Sequence, residues 1–164
     1  MLLYDASFGD GTTTTLGSCF ELITDGVMGG LSQGSLILSN HDGERALEMR
    51  GVVRLDNGGG FIQAAADVTV DASPYRGLRI RACGDGERYG IHLRTLDLTR
   101  PWQSYRGELG STSEWRDHEL SFSDLVPHRT TAPFQPTRLR RLGLVAIGRA
   151  FRPSVRVARI ELFT

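Results

Sequence analysis

The chain has 164 residues, 40% of them hydrophobic and 23% charged. That is ordinary globular composition: it excludes a disordered or fibrous protein and gives enough length for one domain, residues 1–164, to bury a sizeable core. Nineteen acidic residues balance nineteen basic ones, so no excess positive charge draws the chain to nucleic acid or to an anionic membrane.

The N-terminus, Met1-Leu2-Leu3-Tyr4-Asp5, has no basic stretch ahead of a long apolar run. Nowhere does the chain reach the roughly 18 apolar residues that cross a bilayer. The expectation is a cytoplasmic chain without stable membrane insertion; a cleaved leader would leave no trace in it. Cys19 and Cys83 are far apart and lack metal-ligand spacing, which predicts two buried thiols in a reducing compartment. Residues 25–32, Asp-Gly-Val-Met-Gly-Gly-Leu-Ser, form the first glycine-rich segment, and residues 57–61, Asn-Gly-Gly-Gly-Phe, the second.

Period-two patterning predicts strands over residues 35–39, 46–53 and 61–70. Residues 78–83 and 89–94 alternate apolar with charged or polar side chains, and Gly84-Asp85-Gly86-Glu87 between them is turn chemistry, which predicts a β-hairpin. Further strands are expected over 104–109, 116–122, 142–147 and 155–163, the last with a bulge near Ala158, where the apolar set changes phase. Trp115, just ahead of one of them, reads as core. A single helical turn is expected at 123–126, capped by Ser123 and stopped by Pro127, followed by a surface loop over 127–136. Many short strands with one apolar face each, and no long helix, predict an all-β fold: two antiparallel sheets packed as a jelly-roll sandwich.

The glycine segments have two readings. Gly, Asn and Asp are expected in sharp turns for backbone reasons alone, and glycine also lets other groups approach the main chain, so two such turns brought together can form a preformed recognition surface from Asp25, Met28, Gly29, Gly30 and Asn57. No helix follows Gly29-Gly30, which argues against phosphate binding. A second candidate surface is aromatic and polar, with Trp102 and Tyr105 as a sugar platform and Arg94 beside it. The alternative is that both rings simply cover a sheet face.

Catalytic chemistry has thin support. His41, His92, His118 and His128 are widely spaced and no nucleophile is paired with a base. A hydrolase or isomerase would have to rely on Asp25, His92 or Asp85 meeting in space. No catalytic residue, metal or cofactor is therefore assigned. Arg138, Arg140 and Arg141 form the one dense group in a chain whose basic residues are all arginine, and read as a solvated face.

The order of signals adds a further expectation. The first segment leads to the second, then to Tyr75-Arg76-Gly77-Leu78, Gly84-Asp85-Gly86 with Tyr89, and Trp115 running into Leu120-Ser121-Phe122-Ser123-Asp124-Leu125. This series, over residues 4–163, resembles the complex I intermediate-associated protein 30 family. Two positions depart from its pattern: Phe20 stands where a tryptophan is usual, and Glu87 separates Gly86 from Arg88. The resemblance implies a galactose-binding-like β-sandwich, and a non-enzymatic module that docks a protein partner, a respiratory complex subunit or assembly protein, since animal members assist complex I assembly in mitochondria. Related sandwiches bind carbohydrate, which gives the alternative of a carbohydrate-binding module with a concave-face sugar site. Calcium occurs in related sandwiches, yet no calcium-loop sequence is present, so no required metal is expected.

Overall fold

The computed structural model describes residues 1–164. Twelve strands follow in chain order: β1 (Leu2–Asp5), β2 (Glu21–Thr24), β3 (Gln33–His41), β4 (Glu44–Val52), β5 (Phe61–Val70), β6 (Gly77–Gly84), β7 (Arg88–Thr95), β8 (Ser104–Gly110), β9 (Arg116–Ser121), β10 (Val126–His128), β11 (Leu139–Ile147) and β12 (Ser154–Phe163). They form two six-stranded antiparallel sheets. The first runs β3-β4-β12-β6-β9, with β1 also on β12, and the second runs β10-β8-β7-β11-β5-β2. This is the two-sheet antiparallel jelly roll that the patterning predicts, and the galactose-binding-like sandwich that the resemblance implies.

Alternation places one set of side chains between the sheets. Leu78, Ile80 and Ala82 of β6 and Val155, Val157, Ile160 and Leu162 of β12 meet Ile62, Ala64 and Val68 of β5, Ile91 and Leu93 of β7, and Leu142 and Leu144 of β11 in one cluster. Each fully buried aliphatic side chain contributes roughly 1.5–3 kcal/mol, so truncating Ile91 to alanine would cost about 2–5 kcal/mol. The pairing of β12 with β6 slips between Val157 and Arg159, which is the bulge at Ala158. A second slip on β11, between Leu139 and Arg141, sets Arg140 out of register.

Several expectations need correction. Residues 78–94 are no hairpin, because β6 belongs to the first sheet and β7 to the second. The 84–87 connection carries the chain across the sandwich, and the Asp85 carboxylate holds that corner by accepting from Tyr89 Oη at 2.9 Å and from the Ser154 amide at 3.1 Å. A true hairpin joins β3 to β4 through Asp42 and Gly43, at φ 48° and 80°, the left-handed pair that a tight two-residue turn demands. Only Cys83 is buried, while Cys19 sits on an exposed bridge with Thr13. The short 3-10 turn spans Phe122–Asp124 without a side-chain cap, and Pro127 lies inside β10, an edge strand, where its missing N–H leaves no ladder bond unmade. Trp115 is half-buried, with Nε1 donating to the His41 carbonyl at 2.8 Å and the Arg81 guanidinium 5.8 Å from its ring centre. Strands β1, β2 and β10 have no counterpart in the sequence reading because three or four residues are too few to display a period.

Candidate functional site

The two glycine segments meet through one carboxylate. Residues Asp25–Met28 form a 3-10 turn behind β2, with Thr24 Oγ1 accepting from the Gly26 amide at 3.2 Å and Gly29 closing the turn at φ 85°. Asp25 is fully buried. Its Oδ1 accepts the Ser32 amide at 3.0 Å, and its Oδ2 accepts the Ser32 hydroxyl at 2.5 Å and the Gly60 and Phe61 amides at 2.6 and 3.3 Å. Burial pushes this carboxyl up, but the Ser32 hydroxyl and the three amides outweigh it and hold the group below the usual carboxylate range. A Cβ on Gly30 would stand 2.4 Å from Asp25 Cγ, and one on Gly59 would stand 2.6 Å from Oδ2, so both positions must be glycine for the carboxylate to fit. Asn57, at φ 57°, donates from Nδ2 to the Gly29 carbonyl at 3.1 Å.

These requirements account for Asp25, Gly29, Gly30, Ser32 and Asn57. They do not account for Val27 and Met28, which project from the turn with 78% and 59% exposure, nor for Leu31 on the first segment and Leu55 just ahead of the second, which are also exposed. Four large apolar side chains in water on rigidly held backbone are unusual for a turn whose only task is to reverse the chain.

A second surface lies on the outer face of the second sheet. Register places His92 between Arg106 and Gly143, Arg94 beside Arg141, and Gln63 beside Val145. Gly143 makes room for Gln63, whose Oε1 is 2.0 Å from where a Cβ would stand. Burial brings His92 down to about 3, with Arg106 and His128 adding to the effect, so the imidazole is neutral at ordinary pH. Burial, then Arg140 and Arg141, lower Arg94, and burial, then Arg129, lower Arg106. Arg94 donates from Nη2 to the Arg100 carbonyl at 3.0 Å, while its buried Nε has no acceptor.

The sequence-predicted platform divides across this sheet. Trp102 is exposed, in the connection from β7 to β8, with the Arg100 guanidinium 6.0 Å from its ring centre. Tyr105 pairs with Leu93 and points inward, fully buried, its Oη donating to the Ala132 carbonyl at 2.9 Å and its ring packed edge-on against Phe134. It covers the inner face and does not join Trp102. Asp25, Met28, Gly29, Gly30 and Asn57 gather at the loop tip; Arg94 lies on the sheet face, and Trp102 in the β7–β8 connection beside it, linked through Arg100. The sequence reading did not single out Val27, Leu31 and Leu55 at the tip, or Gln63, Arg106 and Arg129 near the face, and it took Arg140 only as part of a solvated arginine group. Exposure of the first three depends on how the turns are held, and the others need cross-strand register.

Other candidates close on themselves. Asp25 and Asp85 are saturated by hydrogen bonds, so neither is a free base. No three His, Cys, Asp or Glu side chains gather as a metal site. A polar groove of about 320 Å³ on the first sheet is lined by Arg81, already bridged to Glu44, and by Arg45, bonded to the Gly9 and Asp10 carbonyls. No helix is long and apolar enough to cross a membrane.

Several solved structures share the fold. The family 11 carbohydrate-binding module of the cellulosomal cellulase Lic26A-Cel5E of Clostridium thermocellum superposes with a TM-score of 0.72 at 10% identity, covering 98% of this chain and 92% of that one. The Clostridium thermocellum family 11 module in complex with a β-1,3-1,4-mixed-linked tetrasaccharide gives 0.72 at 11% identity, over 99% and 94% of the two chains. The family 30 module of cellulase Cel9D-Cel44B from Clostridium thermocellum gives 0.58 at 17% identity, over 80% and 90%. At such identities the likeness establishes the fold alone. No curated protein matches the sequence. The family model for complex I intermediate-associated protein 30 matches residues 8–154, nearly the whole sandwich including both glycine segments, and the chain belongs to that family.

Proposed function

We propose that this chain is a non-enzymatic docking module, acting in the cytoplasm as one domain over residues 1–164, that presents its loop tip to a protein partner during maturation of a respiratory or other membrane complex. The observation that carries the reading is the exposure of Val27, Met28 and Leu31 on the first segment and of Leu55 beside the second, which Asp25 and Asn57 lock together. Preorganised apolar groups lose little conformational freedom on binding, which favours their use as anchors. Gly29 and Gly30 shape the tip, and Met28 adds a pliable thioether suited to an irregular partner surface. The test is copurification of membrane-complex subunits and assembly proteins with the wild type and with a Val27→Ser, Met28→Ser, Leu31→Ser, Leu55→Ser variant of unchanged circular dichroism. Loss of those subunits from the variant supports docking at the tip. Equal recovery from both chains counts against it.

A second reading rests on a separate observation: an open sheet face that combines the Gln63 amide, the neutral His92 imidazole and the Arg94 guanidinium with the exposed Trp102 indole. That combination suits a saccharide, and a similar sandwich is known in complex with a tetrasaccharide. Fluorescence titration with oligosaccharides, read in the wild type and in Trp102→Ala with Trp115 as internal control, tests it. An unresponsive Trp102 across neutral and acidic sugars removes it.

A further inference from the structure

We infer that the outer face of the second sheet takes an acidic saccharide, whose carboxylates lie against Arg94, Arg106 and Arg140 and whose ring planes run toward Trp102. This rests on the saccharide reading above and names its substrate class. The argument starts from where charge is left over. Ten of the nineteen arginines hold a carboxylate. Of the nine without a salt bridge, Arg45, Arg76, Arg152 and Arg159 lie on or next to strands of the first sheet, whereas Arg94, Arg100, Arg106, Arg129 and Arg140 gather at one end of the second sheet. Arg94 bonds the Arg100 carbonyl, and Arg140 lies close enough to Arg94 to act on its charge, as Arg129 does on Arg106. Gln103 donates from Nε2 to the Arg129 carbonyl at 3.1 Å, tying the Trp102 connection to the same end.

A cluster of like charges is costly in a partly buried setting, and nothing in the chain compensates it. Nearby carboxylates are engaged elsewhere: Asp67 and Glu21 hold Arg141, Asp97 holds Arg138, and Glu108 holds Arg88. An external anion offsets the repulsion, and with a small shift of the side chain it also supplies the acceptor that Arg94 Nε lacks. The guanidinium fork suits a planar carboxylate.

A saccharide fits this face better than a peptide. The site lies on the sheet's surface across β7, β8 and β11, whose paired backbone offers no edge to a peptide strand. Beneath the polar layer, Ala65 and Val145 are fully buried, so no apolar pocket opens for an anchoring side chain. What the face does offer is planar hydrogen-bonding groups in Gln63 and His92 and a flat indole at the rim, the needs of a hydroxylated ring. With Tyr105 turned inward, the single indole leaves little stacking for a neutral glucan.

Calorimetric titration of the intact chain with polygalacturonate, its fully methyl-esterified form, a neutral mixed-linked β-glucan and poly-glutamate, at low and high salt, tests the inference. The expected result is binding to polygalacturonate that weakens at least tenfold on esterification and at least tenfold in an Arg94→Gln, Arg106→Gln variant, with circular dichroism unchanged. Trp102→Ala should lower affinity for polygalacturonate without altering its salt dependence. Equal affinity for the esterified polymer or for the neutral glucan would overturn the acidic assignment and leave the saccharide reading standing. Equal binding of poly-glutamate would reduce the face to a charge sink and overturn the saccharide class. Failure to bind any of the four polymers would overturn both. Should the double variant misfold, the esterification comparison on the wild type still decides.

Discussion

The outer faces of the two sheets are built from the same residue types and use them in opposite ways. On the first sheet arginines and acids alternate across neighbouring strands, so Arg79 reaches both Glu119 and Glu161, Arg81 reaches Glu44 and Asp117, and Arg156 reaches Glu48. On the second sheet the arginines at one end face each other and two histidines, with their neighbouring acids turned to other partners. A face whose charges are largely satisfied internally, with Arg45 held by the Gly9 and Asp10 carbonyls and Arg159 the one arginine of its strands left over, has little electrostatic need of a ligand. One whose charges are left over carries a cost in the free protein that a ligand of opposite sign removes. Arginine-only composition therefore says little until register shows which guanidinium meets which carboxylate.

The contrast breaks most sharply at Arg156. Glu48 is buried, with Arg156 at 2.8 Å and only the distant Arg50, at 3.8 Å, to fall back on. Arg156→Met strands that carboxylate and should cost about 3 kcal/mol, a fall in Tm of roughly 10 °C by the usual scaling. Thermal unfolding checks it, and adding Glu48→Gln should restore most of the loss. The next effect is smaller and belongs to the second sheet. The fold brings His92 from 6.5 to about 3. Its neutral form is thus favoured on folding, a contribution complete above the unfolded value and lost as pH falls from 6.5 toward 3. Between pH 7 and pH 5 this group should remove about 2 kcal/mol of stability. Urea unfolding at the two pH values, compared with His92→Gln, isolates that share, because the carboxylates common to both chains cancel.

The architecture was legible in the sequence, and the sites only in part. Alternation in β6, β7 and β12 and the phase change at Ala158 located strands and a bulge, since period two is a local property of the chain. Which sheet a strand joins is not local: Gly84-Asp85-Gly86-Glu87 has the chemistry of a hairpin, and only the Tyr89 hydroxyl and Ser154 amide on Asp85 make it a corner. The convergence of the glycine segments could be guessed from composition, but the carboxylate that joins them had to be seen in place. Tyr105 shows the same limit, one residue from the outward-facing Ser104 and Arg106 in sequence and on the opposite side of the sheet in space.

The two weakest perturbations sharpen the comparison at the second sheet. Arg140 has no salt bridge and stands beside Arg94, so Arg140→Gln should raise stability by about 0.5 kcal/mol at low salt, and the gain should vanish in 1 M NaCl, where surface charges are screened. Denaturant midpoints at the two ionic strengths would show it, and a loss of stability at low salt would mean that Arg140 has found a partner. Gly143→Ala should change stability by less than about 0.5 kcal/mol, because a strand alanine regains backbone entropy while the new methyl displaces only the flexible end of Gln63. If the amide of Gln63 serves the face, the same substitution should weaken polygalacturonate binding severalfold with the melting curve unmoved. Full affinity alongside an unchanged melt would place Gln63 outside the contact and shift the saccharide toward Arg106 and His92.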